Sequence, residues 1–409
     1  MPRMTGGQAL VRSLSREGVR VIFGLPGAQQ YHALDALYDQ SEIRYITTRH
    51  EQAASYMADG YARVTGDVGT AMVVPGPGLF NASAGIATAY AASSPVLVIT
   101  GENHRGRAGK GRQGPDATSD ELDWIRPMTK WAARALKPAD VPALVHEAFL
   151  RLRTGRPRPV EIEIPPAVLA AEADVELMEP VGVERPGGSP ERIQQGASLL
   201  AGAKRPAIWA GGGVIISEAT PALQRLAEHL QAPVVTTPNG KGALSDRHPL
   251  SLGLVELRHV PLRQWLTARD VILVVGTRSD VAGQFKEQQI VQVNIDAEEI
   301  GDAPNAVGIV GDARGSLEDL AHLITAMAPA RPDCADEVRA LNAARFDPAI
   351  QLEPQHSLMN AIRAAMPDDG ILVPCMNQMG YYSRNYYPVY APRTYLTASY
   401  YGTLGFAFP

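Results

Sequence analysis

Three times within its first hundred residues the chain repeats one pattern: a short apolar run, a turn rich in glycine or proline, and a polar or helical stretch. The runs are residues 19–23 before GLPG (24–27), 70–74 before PGPG (75–78), and 96–100 before Gly101. Short apolar strands alternating with helices imply a parallel sheet covered on both faces. The expected fold class is therefore α/β, with successive doubly wound parallel-sheet domains. All three turns fall at carboxyl ends of strands, on one edge of such a sheet. Glycine there lets backbone approach a flat ligand closely, and it equally well serves a turn that needs positive φ.

A fourth junction on that edge carries a charge. Ile43, Tyr45 and Ile46 suit a strand, and residues 51–64 read as an alanine-rich helix with Gly66 just past its end. Glu51 opens the helix. A carboxylate at this place has two readings. It complements the helix dipole, worth about 0.3–1 kcal/mol, or it serves a ligand bound in the crevice at the carboxyl edge of the sheet.

The same α/β alternation returns twice. Residues 167–190 read as a linker, residues 190–330 as a second α/β domain, 329–347 as another linker, and residue 354 onward as the start of a third unit, with strands at 371–374 and 395–398. With 409 residues, 45% apolar and 20% charged, two or three globular domains are expected. Thirty-eight basic against 43 acidic side chains, with no basic stretch, exclude a nucleic-acid partner. The longest apolar runs are strand-sized and the amino terminus has no signal-peptide core, so no membrane partner is expected. Two distant cysteines, Cys334 and Cys375, point to a reducing compartment, the cytoplasm. His32, His50, His104 and His259 have no mutual metal spacing.

The strings VIFGLPG, RHEQAASYMADGYARVTG, PGPGLFNASAGIATAY, SPVLVITG, HPLSLG, VILVVGTRSD, VNIDAEEIG and GTLGF occur in that order along nearly the whole chain. Together they resemble the thiamine diphosphate enzymes of the acetolactate synthase and 2-oxo-acid decarboxylase/carboligase group. The resemblance implies a pyrimidine-binding domain (1–170), a central domain (190–330) and the beginning of a diphosphate-binding domain (354–409). It implies a small 2-oxo acid as substrate and thiamine diphosphate with Mg2+ as cofactors. The cofactor would lie between subunits of a homodimer or homotetramer. Carried over residue by residue, Glu51 matches the catalytic glutamate, whose carboxyl stabilises the imino tautomer of the aminopyrimidine so that it can take the C2 proton. Pro26, Gly27, Gly76, Gly78 and Asn81 match segments lining the pyrimidine pocket. Asn377 and Gln378 match polar positions near the diphosphate. Leu404 matches the bulky apolar residue beneath the cofactor.

Three departures qualify the expectation. No GDG motif occurs, so the ligands for Mg2+ are expected beyond Pro409 and none is assigned here. WIRP at 124–127 lacks the upstream Gln of the synthases; Gln113, in RQGPD, is the catalytic candidate in that loop. His104, Arg105 and Arg107 of the same loop could meet an acidic substrate or face solvent. LVELRH at 254–259 replaces the GMHG string of flavin-containing relatives, so structural FAD is not expected. A second expectation is a non-catalytic subunit of the family that lacks the metal-diphosphate site.

Overall fold

The computed structural model describes residues 2–102, 120–180, 182–278, 280–301 and 303–409. Gln113, His104, Arg105 and Arg107 lie outside them. The chain forms two compact units, Met1–Val183 with Ala398–Pro409, and Glu184–Thr397.

The first unit is built on six parallel strands: β1 (Val21–Gly24), β2 (Arg44–Thr47), β3 (Gly69–Met72), β4 (Val96–Thr100), β5 (Trp131–Arg134) and β6 (Val160–Glu163). Their order is β2-β1-β3-β4-β6-β5. Helices α1 (Gly6–Arg16), α2 (Tyr31–Tyr38), α3 (Glu51–Thr65), α4 (Pro77–Ala92), α5 (Glu121–Ile125) and α6 (Val141–Arg153) surround it. Strand side chains alternate between faces, and the apolar ones sort accordingly. Ile22, Met72, Leu97, Ile99 and Ile162 pack with Leu10 and Leu14 of α1 and Phe149 of α6. Phe23, Ala71, Val73, Val96 and Val98 pack with Ala54 and Ala58 of α3 and Ala82 and Ile86 of α4. The sheet is therefore doubly wound.

On the second face α3 and α4 lie unusually close, because the residues between them are small. Ser55 Oγ donates to the Ala82 carbonyl at 2.9 Å, and a Cβ on Gly85 would lie 2.1 Å from Ser55 Oγ. Strand β6 is unusual in another way. Its period-two pattern places Glu161 and Glu163 in the interior, 1% and 0% exposed. Thr100 Oγ1 donates to Glu161 Oε1 at 2.6 Å, and Arg134 on β5 reaches Glu163 Oε2 at 2.7 Å. Burial nevertheless pushes the Glu161 carboxyl well above the usual carboxylate range.

The second unit repeats the plan with β7 (Pro206–Ala210), β8 (Val234–Thr236), β9 (Ser251–Leu254), β10 (Val271–Val275), β11 (Gln289–Asn294) and β12 (Ala306–Val310), all parallel in the order β9-β8-β7-β10-β11-β12. Its flanking helices include Pro190–Gly202, Thr220–Leu230 and Ala313–Met327, and one continuous core holds Leu226, Ile272, Val291 and Leu320.

Both stretches read as linkers contain structure. Residues Glu172–Asp174 form an antiparallel pair with Arg3–Thr5, a partnership between chain segments too distant for local pattern to reveal. Ala335–Arg345 is a helix whose Arg345 donates to the Leu252 carbonyl at 2.6 Å. Conversely, the strands expected at 371–374 and 395–398 shrink to a single parallel bridge between Leu372 and Tyr395. No strand neighbour extends the pairing there among the described residues.

Gly85→Ala should destabilise the protein by about 1–3 kcal/mol, the usual cost of forcing extra volume into a packed contact; urea unfolding at wild-type concentration would refute the tight α3–α4 contact. The sign for Glu161 is also fixed. Its folded-state pKa is raised, so its favourable contribution is complete below the ordinary glutamate value of about 4.3 and is lost as pH rises through the folded value. Glu161→Gln, which keeps an acceptor for Thr100, should melt higher than wild type at alkaline pH, with the gap closing toward acid. A gap that widens toward acid would refute the assignment.

Candidate active site at the sheet switch point

β1 and β3 are neighbours, with Phe23 opposite Ala71 and Gly24 opposite Met72. From β1 the chain moves outward to β2, then crosses back to β3, so the strand order reverses between β1 and β3. Ligands of open α/β sheets bind outside the carboxyl ends of strands at such a reversal. The turns after β1 and β3 meet there around one side chain. A Cβ on Gly27 would lie 2.2 Å from Val74 Cγ1, and one on Gly78 would lie 2.6 Å from Val74 Cγ2. The exit of β4 joins them, since a Cβ on Gly101 would approach Gln29 Cβ at 2.9 Å and Pro75 Cδ at 3.5 Å. The shared edge expected for the three turns is thus a set of mutual contacts.

Glu51 enters from the end of β2. It is the first residue of α3 and is 7% exposed. His50 is the N-cap, its Nδ1 accepting from the Gln52 N–H at 3.2 Å. His50 therefore positions the turn. Asn81, one turn into α4, donates through Nδ2 to Glu51 Oε2 at 3.0 Å. The other carboxylate oxygen faces glycine, because a Cβ on Gly78 would stand 3.3 Å from Oε1. The Ser55–Ala82 hydrogen bond and the Gly85 contact fix the separation of the two helices, and hence of Glu51 and Asn81. One oxygen is held by an amide at the positive end of a helix, and the other faces Gly78, where any larger residue would collide with Val74.

The turn before α4 has its own support. Gly76 is at φ 63°, ψ −115°, outside the regions open to other residues. Its N–H donates to Glu121 Oε2 at 2.9 Å. Phe80, beside Asn81, stacks on Trp124 with ring centroids 4.3 Å apart.

Of the residues expected in a site, the structure brings Gly27 and Gly78 together around Val74, and Gly78 and Asn81 onto Glu51, with Gly76 in the same turn and Pro26 adjoining Gly27. Leu404 is 72% exposed; its neighbour Thr403 hydrogen-bonds Thr88 of α4 at 2.9 Å, and Phe406 packs edge-on against Tyr56 of α3. Asn377 and Gln378 belong to the other unit. There Asn377 caps the helix Gln378–Tyr386, accepting from the Gly380 N–H at 2.9 Å. Val74, Glu121, Phe80 and Trp124 were not expected. Val74 is one apolar residue among many in a strand, and no local pattern marks Glu121 as the partner of a backbone amide 45 residues away. Among the described residues no three His, Cys, Asp or Glu side chains form a set that would hold a metal ion, and no helix is long and apolar enough to cross a membrane.

Known proteins share this framework. Residues 4–123 match the N-terminal cofactor-binding domain of the thiamine pyrophosphate enzymes, and residues 193–320 match their central domain. A protein of Methanocaldococcus jannaschii described as a probable acetolactate synthase large subunit is 37% identical over 99% of this chain and 72% of its own length. A probable 2-ketoarginine decarboxylase of Pseudomonas aeruginosa is 38% identical over 99% of this chain and 74% of its own. An acetolactate synthase of Mycobacterium bovis is 34% identical over the whole chain and 69% of its own. Two matched domains in the family's order, and relatives aligned along the chain's length, make this protein a member of the thiamine pyrophosphate enzymes, of the acetolactate synthase-like and 2-oxo-acid decarboxylase group.

Proposed function

We propose that this protein uses thiamine diphosphate and Mg2+ to decarboxylate a 2-oxo acid and transfers the resulting acyl unit to a second carbonyl, with Glu51 as its catalytic carboxylate. The observation that carries the reading is the buried Glu51, pinned by Asn81 on one oxygen and bordered by Gly78 on the other. The residues fit the pyrimidine end of the cofactor, since a buried carboxylate held by Asn81 on one oxygen suits a ring nitrogen on the other, and glycine at 27 and 78 lets the two turns close around Val74. Pro26, Gly27, Gly76, Gly78 and Asn81 would line that end. When bound, thiamine diphosphate supplies an acidic carbon and an electron sink for loss of carbon dioxide.

The chain's own residues account for the proton chemistry. Asn81 orients the Glu51 carboxyl, so that Oε1 is the oxygen left to hold or release a proton at a ring nitrogen. Glu51 is buried, 7% exposed, so little water reaches the carboxyl. On the family resemblance we assign Asn377 and Gln378 to the diphosphate end and Leu404 to the place beneath the cofactor, with residues 354–409 as the opening of the diphosphate-binding domain. Gln113 is assigned to the substrate side on the same ground. The described residues offer Mg2+ no ligand set. A homodimer or homotetramer follows from the family's shared cofactor site, and the two unpaired cysteines support a cytoplasmic setting. A non-catalytic scaffold is disfavoured by relatives described as enzymes.

Decarboxylation without ligation is the second reading. It is favoured by the segment before WIRP, which lacks the Gln of the synthases, and by the likeness to a decarboxylase. Product analysis separates the two: with pyruvate as the donor, acetolactate supports ligation, whereas an aldehyde alone supports simple decarboxylation.

Glu51→Gln should lower turnover by about 10²–10⁴-fold, the range typical of general acid–base groups, while circular dichroism and melting temperature stay near wild type. Near-normal turnover removes Glu51 from the chemistry. Asn81→Ala should weaken turnover by a smaller factor, on the order of tenfold, because it loosens the orientation of a group that remains present. Equal losses in the two variants would contradict that division of roles.

A further inference from the structure

The turn that carries Gly76 and Gly78 is held from outside its own helix. Helix α5 touches it at two points. Glu121, 7% exposed, accepts the Gly76 N–H through Oε2 at 2.9 Å, a buried contact. One turn further, Trp124 stacks on Phe80, the residue next to Asn81, with ring planes 25° apart. Buried backbone N–H groups require acceptors, and a carboxylate is a stronger one than a neutral oxygen. Gly76, at φ 63°, ψ −115°, is the N-cap of α4: its carbonyl accepts from the Phe80 N–H at 3.0 Å, while its own N–H lies outside the helix ladder and goes to Glu121. The displacement is short from there to the chemistry. Two residues on, Gly78 borders Glu51 Oε1, and five residues on, Asn81 holds Oε2.

Glu121 adjoins a polar layer that runs from the exposed Asp120 to the buried Glu163. Asp120, its neighbour, takes the Arg134 guanidinium on both oxygens at 2.7 and 3.2 Å, and Arg134 also reaches Glu163 on β6. The layer ties α5 to the sheet and leaves Glu121 directed at the turn.

We propose that Glu121 is a positioning residue for the Glu51 site, acting through the Gly76 N–H, with Trp124 on Phe80 as the second point of the same clamp. The proposal rests on Glu51 being the catalytic carboxylate. Glu121 touches neither Glu51 nor Asn81. Its effect is to fix the backbone from which Gly78 and Asn81 meet the two carboxylate oxygens.

The test compares Glu121→Ala with Glu121→Gln, whose amide oxygen can still accept from Gly76. In the full chain, hydrogen exchange at the Gly76 amide, followed by NMR, should speed up by about tenfold or more in Glu121→Ala and stay near wild type in Glu121→Gln. In the enzyme with thiamine diphosphate and Mg2+, kcat should fall by about ten- to a hundredfold in Glu121→Ala with little change in KM, and recover in Glu121→Gln. Should Glu121→Ala not fold, Glu121→Met keeps the volume without the acceptor and gives the same comparison. Unchanged Gly76 exchange in the acceptor-less variant overturns the proposal, as does wild-type kcat there while Glu51→Gln is inactive. A fully active Glu51→Gln instead overturns the underlying reading, and Gly76 exchange still reports on the hydrogen bond by itself.

Discussion

The isopropyl group of Val74 is gripped between the backbones of two turns, and the geometry of the whole carboxyl edge follows from that contact. A methyl group on either Gly27 or Gly78 would overlap it, so the β1 and β3 exits can converge only with glycine at both places. Convergence brings the start of α4 beside the start of α3. Without it, Asn81 would not reach Glu51, and the carboxylate would be a surface charge at a helix end.

The second constraint is the contact between α3 and α4. Ser55, Ala82 and Gly85 let the helices approach until a hydroxyl and a carbonyl hydrogen-bond between them. Helix packing distance is normally a property of the core. Here it also sets the distance between an amide and a carboxylate, so a substitution that widens the contact by one methyl acts on chemistry and stability together. Glu121 meets the same assembly from the other end of the turn, by accepting the Gly76 N–H that the helix ladder leaves over.

Much of this was legible from the residues. The alternation of apolar runs and glycine turns led to parallel doubly wound sheets, and β1 to β4 lie where the runs at 19–23, 43–46, 70–74 and 96–100 put them. Glu51 stands at a strand–helix junction on the predicted edge. To what local pattern left ambiguous, a dipole partner or a ligand group, the structure adds Asn81 from another helix, which holds one carboxylate oxygen. The strand Trp131–Arg134 and the pairing of Arg3–Thr5 with Glu172–Asp174 escaped notice for a physical reason. Each is three or four residues long and is stabilised by partners far away in sequence, so it carries no periodicity of its own. Glu121 escaped for the same reason, since a side-chain bond to a backbone amide leaves no trace in composition or spacing. The role of Leu404 is carried by resemblance, while the structure leaves its side chain largely in solvent.

The first sheet also acts as a partition. Its two apolar populations do not mix: the layer under α1 and α6 contains none of the residues that meet at Glu51, and the layer under α3 and α4 is continuous with them. The two sides consequently face different evolutionary pressures. Large aliphatic side chains on the α1–α6 side can exchange volume among themselves and tune the robustness of the domain with little consequence for the reaction. The alanines, serine and glycine on the other side have no such latitude. Sequence drift in this domain should therefore be lopsided, free behind the sheet and narrow in front of it.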